Sequence, residues 1–296
     1  DTLVFDAGIY DVTETVSPHH TYQGSAFIID KSITVTGAGV GQTIIYADYA
    51  NGGSVSDVSN TEETAKVNQQ NTITIRADNV TIQDMTVQVM ISYASGAFYI
   101  NKAIEAYGDN TTISNVDIVS NTNGVRATND IYGKDITTTT SPAKTAGASL
   151  MINGDDAEGT TNIIIENVNI ETGGIQAQSA AGTLAGEITN TTMSLLNEND
   201  ISTNVLGITG SNVEINLDAA LDNAADILNA AKSGTTIYVN VSQSLDKDTT
   251  VSEGVTVALA TGATIDAGEH SYTNNGTTVP IQDEDSLGLR SELETD

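Results

Sequence analysis

The chain has 296 residues, with 39 acidic side chains against 10 basic ones and a formal charge of −29 at pH 7. Such a surface repels nucleic-acid phosphates and anionic lipid, which excludes both as partners, and suits a salty or calcium-containing medium that screens the self-repulsion. Cysteine and tryptophan are absent, so disulfides and thiolate metal sites are excluded, and no stretch reaches the roughly 18 apolar residues that membrane insertion needs. Together with abundant Thr and Asn, the charge predicts an extracellular or cell-surface location. The opening at Asp1 reads as a processed or trimmed start.

In chain order, DTLVFDAGIYDV at 1–12 reads as strand, turn and strand. His19 and His20 offer two imidazoles to a metal, or form an exposed loop after Pro18; neighbours in an extended segment point apart, which makes joint chelation awkward. The stretch SITVTGAGVGQTII at 32–45 carries Gly37, Gly39 and Gly41. A phosphate-binding loop needs a helix directly after its glycines, whereas here a β-branched run follows and no Lys-Ser/Thr is present. The glycines are predicted to form a corner between two strands.

Similar units follow, each a short strand, a turn with Asn, Asp or Gly, and a second strand of pattern Ile-x-Asn/Asp-Val/Met-x-Ile/Val. They start near Ala103, Gly124, Ser149, Gly174 and Asn204. A repeat of about 20 to 30 residues marks a solenoid, and units built only of strands with Asn/Gly corners mark a parallel β-helix. Alternation places Ile104, Val125, Leu150, Ile175 and Val205 in one inward column and Ala106, Ala127, Ile152 and Ala177 in the next. Each buried aliphatic would contribute about 1.5–3 kcal/mol. The outward column is Glu105, Arg126, Met151, Gln176 and Leu206, beside Tyr107, Thr128, Asn153 and Gln178. Residues 46–71, 90–102, 140–148 and 178–190 are predicted to leave the body as loops.

The segments ADNVTIQDMTV, GDNTTISNVDI and TNIIIENVNI resemble coils of the right-handed parallel β-helix superfamily, which includes pectate lyases, pectin methylesterases, tailspikes and surface adhesins. The opening DTLVFDAGIYDV and KSITVTGAGVGQTII are similar to the first coils of those proteins, and the resemblance spans 1–217. It implies an all-β, right-handed parallel β-helix, here with one short helix late in the chain. It also raises a polysaccharide lyase activity, which needs acidic calcium ligands beside a basic residue. The nearest constellation is Glu105, Tyr107 and Arg126, which reads better as a surface ion pair between adjacent coils. The lyases' fuller set of aspartates with Arg or Lys on adjacent strands is not visible, and the methylesterases' paired aspartates with an Arg are not matched.

The late part differs. In DAALDNAADILNAAK, 218–232, Leu221, Ala224, Leu228 and Ala231 share a helical face, and Ser233-Gly234 ends the helix. The strand-like TTIYVNV follows, then a further strand pair from Gly254. The expected division is a β-helix at 1–217, a helix-plus-strand cap or second β module at 218–281, and an acidic tail at 282–296.

Asp155, Asp156 and Glu158 crowd carboxylates into one turn, a donor set for Ca²⁺ or a solvated acidic loop. Glu198-Asn199-Asp200 and Asp266 with Glu269 are sparser versions, and His270 stands far from the other histidines. Asn79, Asn110, Asn190, Asn240 and Asn275 head Asn-x-Ser/Thr sequons and are glycosylation candidates. The functional expectation is an extracellular structural or adhesive protein, such as a calcium-stabilised surface-layer or filament subunit that assembles head to tail. In that arrangement 218–265 of one subunit covers the first coil of the next. The alternatives are a polysaccharide lyase or other carbohydrate-active enzyme, and a non-catalytic module binding cell-surface polysaccharide.

Overall fold

The computed structural model describes residues 1–12, 24–48, 70–90, 102–120, 149–153, 159–178 and 182–281. Coil by coil, the chain contributes β1 (Thr2–Val4) and β2 (Gly8–Asp11), then β3 (Gly24–Ile29), β4 (Thr34–Thr36) and β5 (Thr43–Asp48). Next come β6 (Gln70–Ile75) with β7 (Thr81–Met90), β8 (Ile104–Ala106) with β9 (Thr111–Ser120), and β10 (Leu150–Ile152) with β11 (Thr160–Ile170). They are followed by β12 (Ile175–Ala177), β13 (Thr183–Thr189) and β14 (Thr191–Leu195), then helix α1 (Thr203–Leu206) with β15 (Val213–Leu217). Helix α2 (Ala224–Ala230), β16 (Thr235–Val239) and β17 (Gln243–Ser244) come next. The last rungs hold β18 (Thr249–Val251), β19 (Thr256–Leu259), β20 (Ile265–Asp266), β21 (Tyr272–Asn274) and β22 (Thr277–Pro280).

The strand pairings are parallel, and the fold is an all-β parallel solenoid with one short helix of two turns late in the chain. The long sheet runs β1-β4-β7-β9-β11-β14-β15-β16-β19-β22, with β13 beside β11, β5 beside β7 and β2 beside β5. A second wall runs β3-β6-β8-β10-β12. Helix α1 continues that wall after β12, α2 packs on α1, and β18 packs on α2. Strand order and register pass from β15 to β16 across 218–234 without a change of direction.

One backbone position keeps the long sheet in phase. Ile113 and Val116 are three residues apart, so a flat strand would put them on opposite faces, yet both are fully buried. Between them Asn115 adopts φ 51°, turning the chain and restoring the inward phase. Ile82 and Met85 flank Asp84 (φ 58°) in the same way, and Ile165 and Val168 flank Asn167 (φ 54°). The registers place Asn190, Asn212, Gly234 and Gly254, all at positive φ, at this same corner in the following coils. Asn, Asp and Gly are the residues that tolerate the left-handed region, which is why the motif reads Ile-x-Asn/Asp-Val.

The glycines at 37–41 occupy this corner in an earlier coil. Thr36 lies opposite Gln83 and Ile44 opposite Thr86, so the stretch spans what Asp84 and Met85 span in the next coil. Gly37 and Gly39 donate their N–H groups to the carbonyls of Gln83 and Asp84, each at 3.0 Å. A Cβ on Gly37 would sit 2.3 Å from the Asp84 carbonyl oxygen, so a side chain is excluded there.

Leu150 lies opposite both Ile104 and Ile175, as the inward column predicts, with Ala106, Ile152 and Ala177 in the next. The column needs two corrections. β8 pairs directly with β10, so no rung stands between Ile104 and Leu150; Val125, Arg126, Ala127 and Thr128 lie outside the described residues. Val205 and Leu206 belong to α1 rather than to a strand, and Leu206, expected outside, is fully buried.

The loop expected at 178–190 contains β13, which runs beside the first half of β11 and hides its alternation behind Gly186. The predicted helical face of Leu221, Ala224, Leu228 and Ala231 is buried, but the helix begins only at Ala224. Residues 218–223 are drawn into other bonds: Asp218 N–H donates to the Leu195 carbonyl at 3.0 Å, and Leu221 N–H to Gln243 Oε1 at 2.9 Å. No helix among the described residues is long and apolar enough to cross a membrane.

Asn167 is exposed and sits in the left-handed corner. Asn167→Val is expected to destabilise the fold by about 1–2 kcal/mol while Asn167→Gly stays near wild type, read from urea unfolding midpoints. Equal midpoints for the two variants would show that the corner does not need this conformation.

Candidate functional site

The outer face of the second wall carries a polar cluster across three coils. Register puts Thr74, Glu105 and Met151 side by side on β6, β8 and β10. Glu105 points away from the core column yet is only 5% exposed. Its Oε1 accepts from the Tyr107 hydroxyl at 3.0 Å and from Asn153 Nδ2, and its Oε2 accepts from Asn71 Nδ2. Asn71 Nδ2 also donates to Thr74 Oγ1 at 3.2 Å, and Asn71 Oδ1 accepts the backbone N–H of Lys102 at 3.1 Å. One carboxylate thus ties the coils of β6, β8 and β10 together.

Lys102 is 1% exposed, and its Nζ has no hydrogen-bond partner among the described residues; neither does Asn153 Oδ1. Burial lowers the Lys102 amine to about 8, against the pull of the Asp200 and Glu105 carboxylates. Burial likewise pushes Glu105 above the usual carboxylate range, although its hydrogen bonds from Tyr107, Asn153 and Asn71 and the Lys102 charge oppose the shift. Tyr107 is raised by burial and then by the neighbouring Glu105 charge. Perturbed groups of this kind cluster at functional sites but also in structural networks.

The structure brings Glu105 and Tyr107 together, with Glu105 buried rather than on the surface, while Arg126 lies outside the described residues. Asn71 and Lys102 complete the cluster, and the sequence reading missed both. Asn71 lies at the start of β6 and Lys102 two residues before β8, one coil apart, so only the register joins them. A lysine placed immediately before the core run Ala103-Ile104 was the available signal.

Asp155, Asp156 and Glu158 lie outside the described residues, as do His19 and His20. Among the described residues no group of three or more His, Asp or Glu side chains is placed to hold a metal ion. Asp200 is fully buried, and its Oδ2 accepts the N–H groups of Leu196 and Asn197 at 2.7 and 3.0 Å, which shapes the turn before α1. Asp266 Oδ1 accepts the Gly268 N–H at 2.9 Å in an exposed turn near Glu269 and His270.

The sequons have a conformational account. Asn79, Asn110 and Asn190 are exposed left-handed corner residues at φ 56°, 54° and 48°. Asn110 and Asn190 accept side-chain bonds from Asn162 and Asn212 of adjacent coils at 3.0 and 3.1 Å. Asn240 is half-buried and donates to Asp218 Oδ1 at 2.7 Å, whereas Asn275 is exposed.

A second candidate surface is the first coil. Leu3, Val4 and Ile9 are 38%, 65% and 44% exposed; register sets Leu3 opposite the buried Val35, and Val4 and Ile9 opposite the half-buried Thr36 and Ile44. Phe5 packs edge-on against Tyr10 and Phe27 at ring separations of 4.7 and 6.0 Å, so the aromatics support this coil from within. Among the described residues β1 pairs only with β4. No protein family matches the chain, and neither does any curated protein or solved structure.

Removing the Tyr107 hydroxyl deprives Glu105 of a donor that favours its ionised form. Glu105 has a raised folded-state value, so its contribution to stability is present in acid and lost as pH rises through that value. Tyr107→Phe is therefore expected to cost about 1.5–3 kcal/mol at neutral pH and less in acid, where the carboxyl is neutral. Urea melts of both proteins across this range check it; a difference that does not change with pH would place the hydroxyl elsewhere.

Proposed function

We propose that the chain is an extracellular structural or adhesive surface protein of the right-handed, pectate-lyase-like β-helix type, acting as a solenoid subunit that associates head to tail. The observation that carries this reading is the exposure of Leu3, Val4 and Ile9 on the first described coil, where β1 has β4 as its one partner among the described residues. An unpaired parallel edge beside exposed aliphatics is a template for another strand. The opposite end of the long sheet is β22, also with one partner among the described residues, and Tyr272 and Val279 of the last rungs are half-exposed. A β22-to-β1 contact would extend the same ladder at the ordinary strand spacing of about 4.8 Å. Helix α2 is packed between α1 and β18, so the last coil rather than the helix would meet the neighbour.

Both ends carry carboxylates, Asp1, Asp6 and Asp11 at one and Asp266 and Glu269 at the other. A divalent cation such as Ca²⁺ would offset their repulsion, and Asp155, Asp156 and Glu158 remain proposed as a second calcium site. Cell-surface polysaccharide is the other proposed partner. The enzymatic alternative, a polysaccharide lyase using Glu105 and Tyr107 with Arg126, is disfavoured because Glu105 is buried and holds three donors.

Light scattering and electron microscopy with and without Ca²⁺ test the assembly. Concentration-dependent linear oligomers are expected, and the double variant Val4→Lys with Ile9→Lys is expected to abolish them while keeping the fold. A wild-type protein that stays monomeric at high concentration in Ca²⁺ overturns the proposal. A melting temperature indifferent to chelator would remove calcium from it.

A further inference from the structure

The buried amine of Lys102 has no role in the reading above and no hydrogen-bond partner among the described residues. The carboxylates acting on the amine are those of Asp200 first and Glu105 second, and the Asn71 carboxamide meets the lysine at its backbone. The Lys102 backbone N–H donates to Asn71 Oδ1 at 3.1 Å, so the Asn71 carboxamide lies against the lysine's own backbone, within the span of a flexible four-carbon stem. That carboxamide is held at both ends, with Oδ1 on the Lys102 N–H and Nδ2 on Glu105 Oε2 and Thr74 Oγ1. Asn71 is fully buried and Glu105 nearly so, which keeps bulk water from the group.

We propose that Lys102 Nζ and Asn71 Cγ join as an intramolecular amide, with Glu105 as the proton carrier. The neutral amine attacks Cγ, and the developing charge on Oδ1 is met by the Lys102 N–H, an oxyanion donor already in place. The Glu105 carboxyl gives its proton to Nδ2, the Cγ–Nδ2 bond breaks, and ammonia leaves. The surplus proton on Nζ returns to Glu105, so the carboxyl is regenerated. One C–N bond forms and one breaks, with no oxidant, metal or cofactor. Burial favours both reacting forms, since it raises the neutral share of the amine and the protonated share of the carboxyl. The bond would tie the coil of β6 to that of β8, a covalent staple in a chain without cysteine. It is independent of how subunits associate.

Intact-mass measurement of the folded protein, followed by peptide mapping, tests the proposal. The expected mass lies below the sequence mass by one ammonia, with a branched peptide joining Lys102 to Asn71. Lys102→Arg and Glu105→Gln are each expected to restore the full mass. The full sequence mass in the wild type, with both peptides recovered linear, overturns the proposal whether or not the variants fold. A deficit that persists in Lys102→Arg also overturns it, because an imide at a site such as Asn275-Gly276 would then be its source.

Discussion

Parallel stacking demands that every coil return to the same register after leaving the plane of its sheet. The left-handed corner residue meets that demand. A flat strand alternates with period two, so it cannot bury both Ile113 and Val116; one residue at positive φ between them shifts the phase and lets both point inward. Because the next coil pairs with this one, the same turn must recur above and below, and it does from Asp84 to Gly254. The inward face of the long sheet follows from this one repeated backbone choice.

The same register creates the polar cluster. Asn71, Glu105 and Asn153 stand far apart in sequence but in successive coils, so stacking delivers two carboxamides to one carboxylate. Burial then acts on all the groups together: it raises Glu105 and Tyr107 and lowers Lys102. Such a network is held by geometry rather than by solvent, and the donors that surround Glu105 are what make its burial tolerable.

The pattern Ile-x-Asn/Asp-Val/Met was legible as a coil signature because hydrophobic phase and left-handed tolerance are both local properties of a few residues. The inward column of Ile104, Leu150 and Ile175, on the other strand of each unit, followed from plain alternation. Val205 was misread because a short helix with buried Val205 and Leu206 occupies a wall position, and a four-residue segment carries too few periods to separate helix from strand. β13 was missed because backbone pairing with β11 holds TLAGEIT in the sheet without a clean alternation of its own.

For the site, Glu105 and Tyr107 could be read as neighbours because residues two apart on a strand share a face. Asn71 and Lys102 could not, since their meeting depends on which coil stacks on which and in what register. The sequence by itself determined the solenoid class, the aliphatic columns, the conformation of the corners and the acidic surface, all set by short-range sterics and composition. Tertiary structure alone decided which coils are neighbours, where helices replace strands in a wall, and that Glu105 is buried among donors. Those outcomes depend on long-range pairing, and no local stretch of residues encodes it.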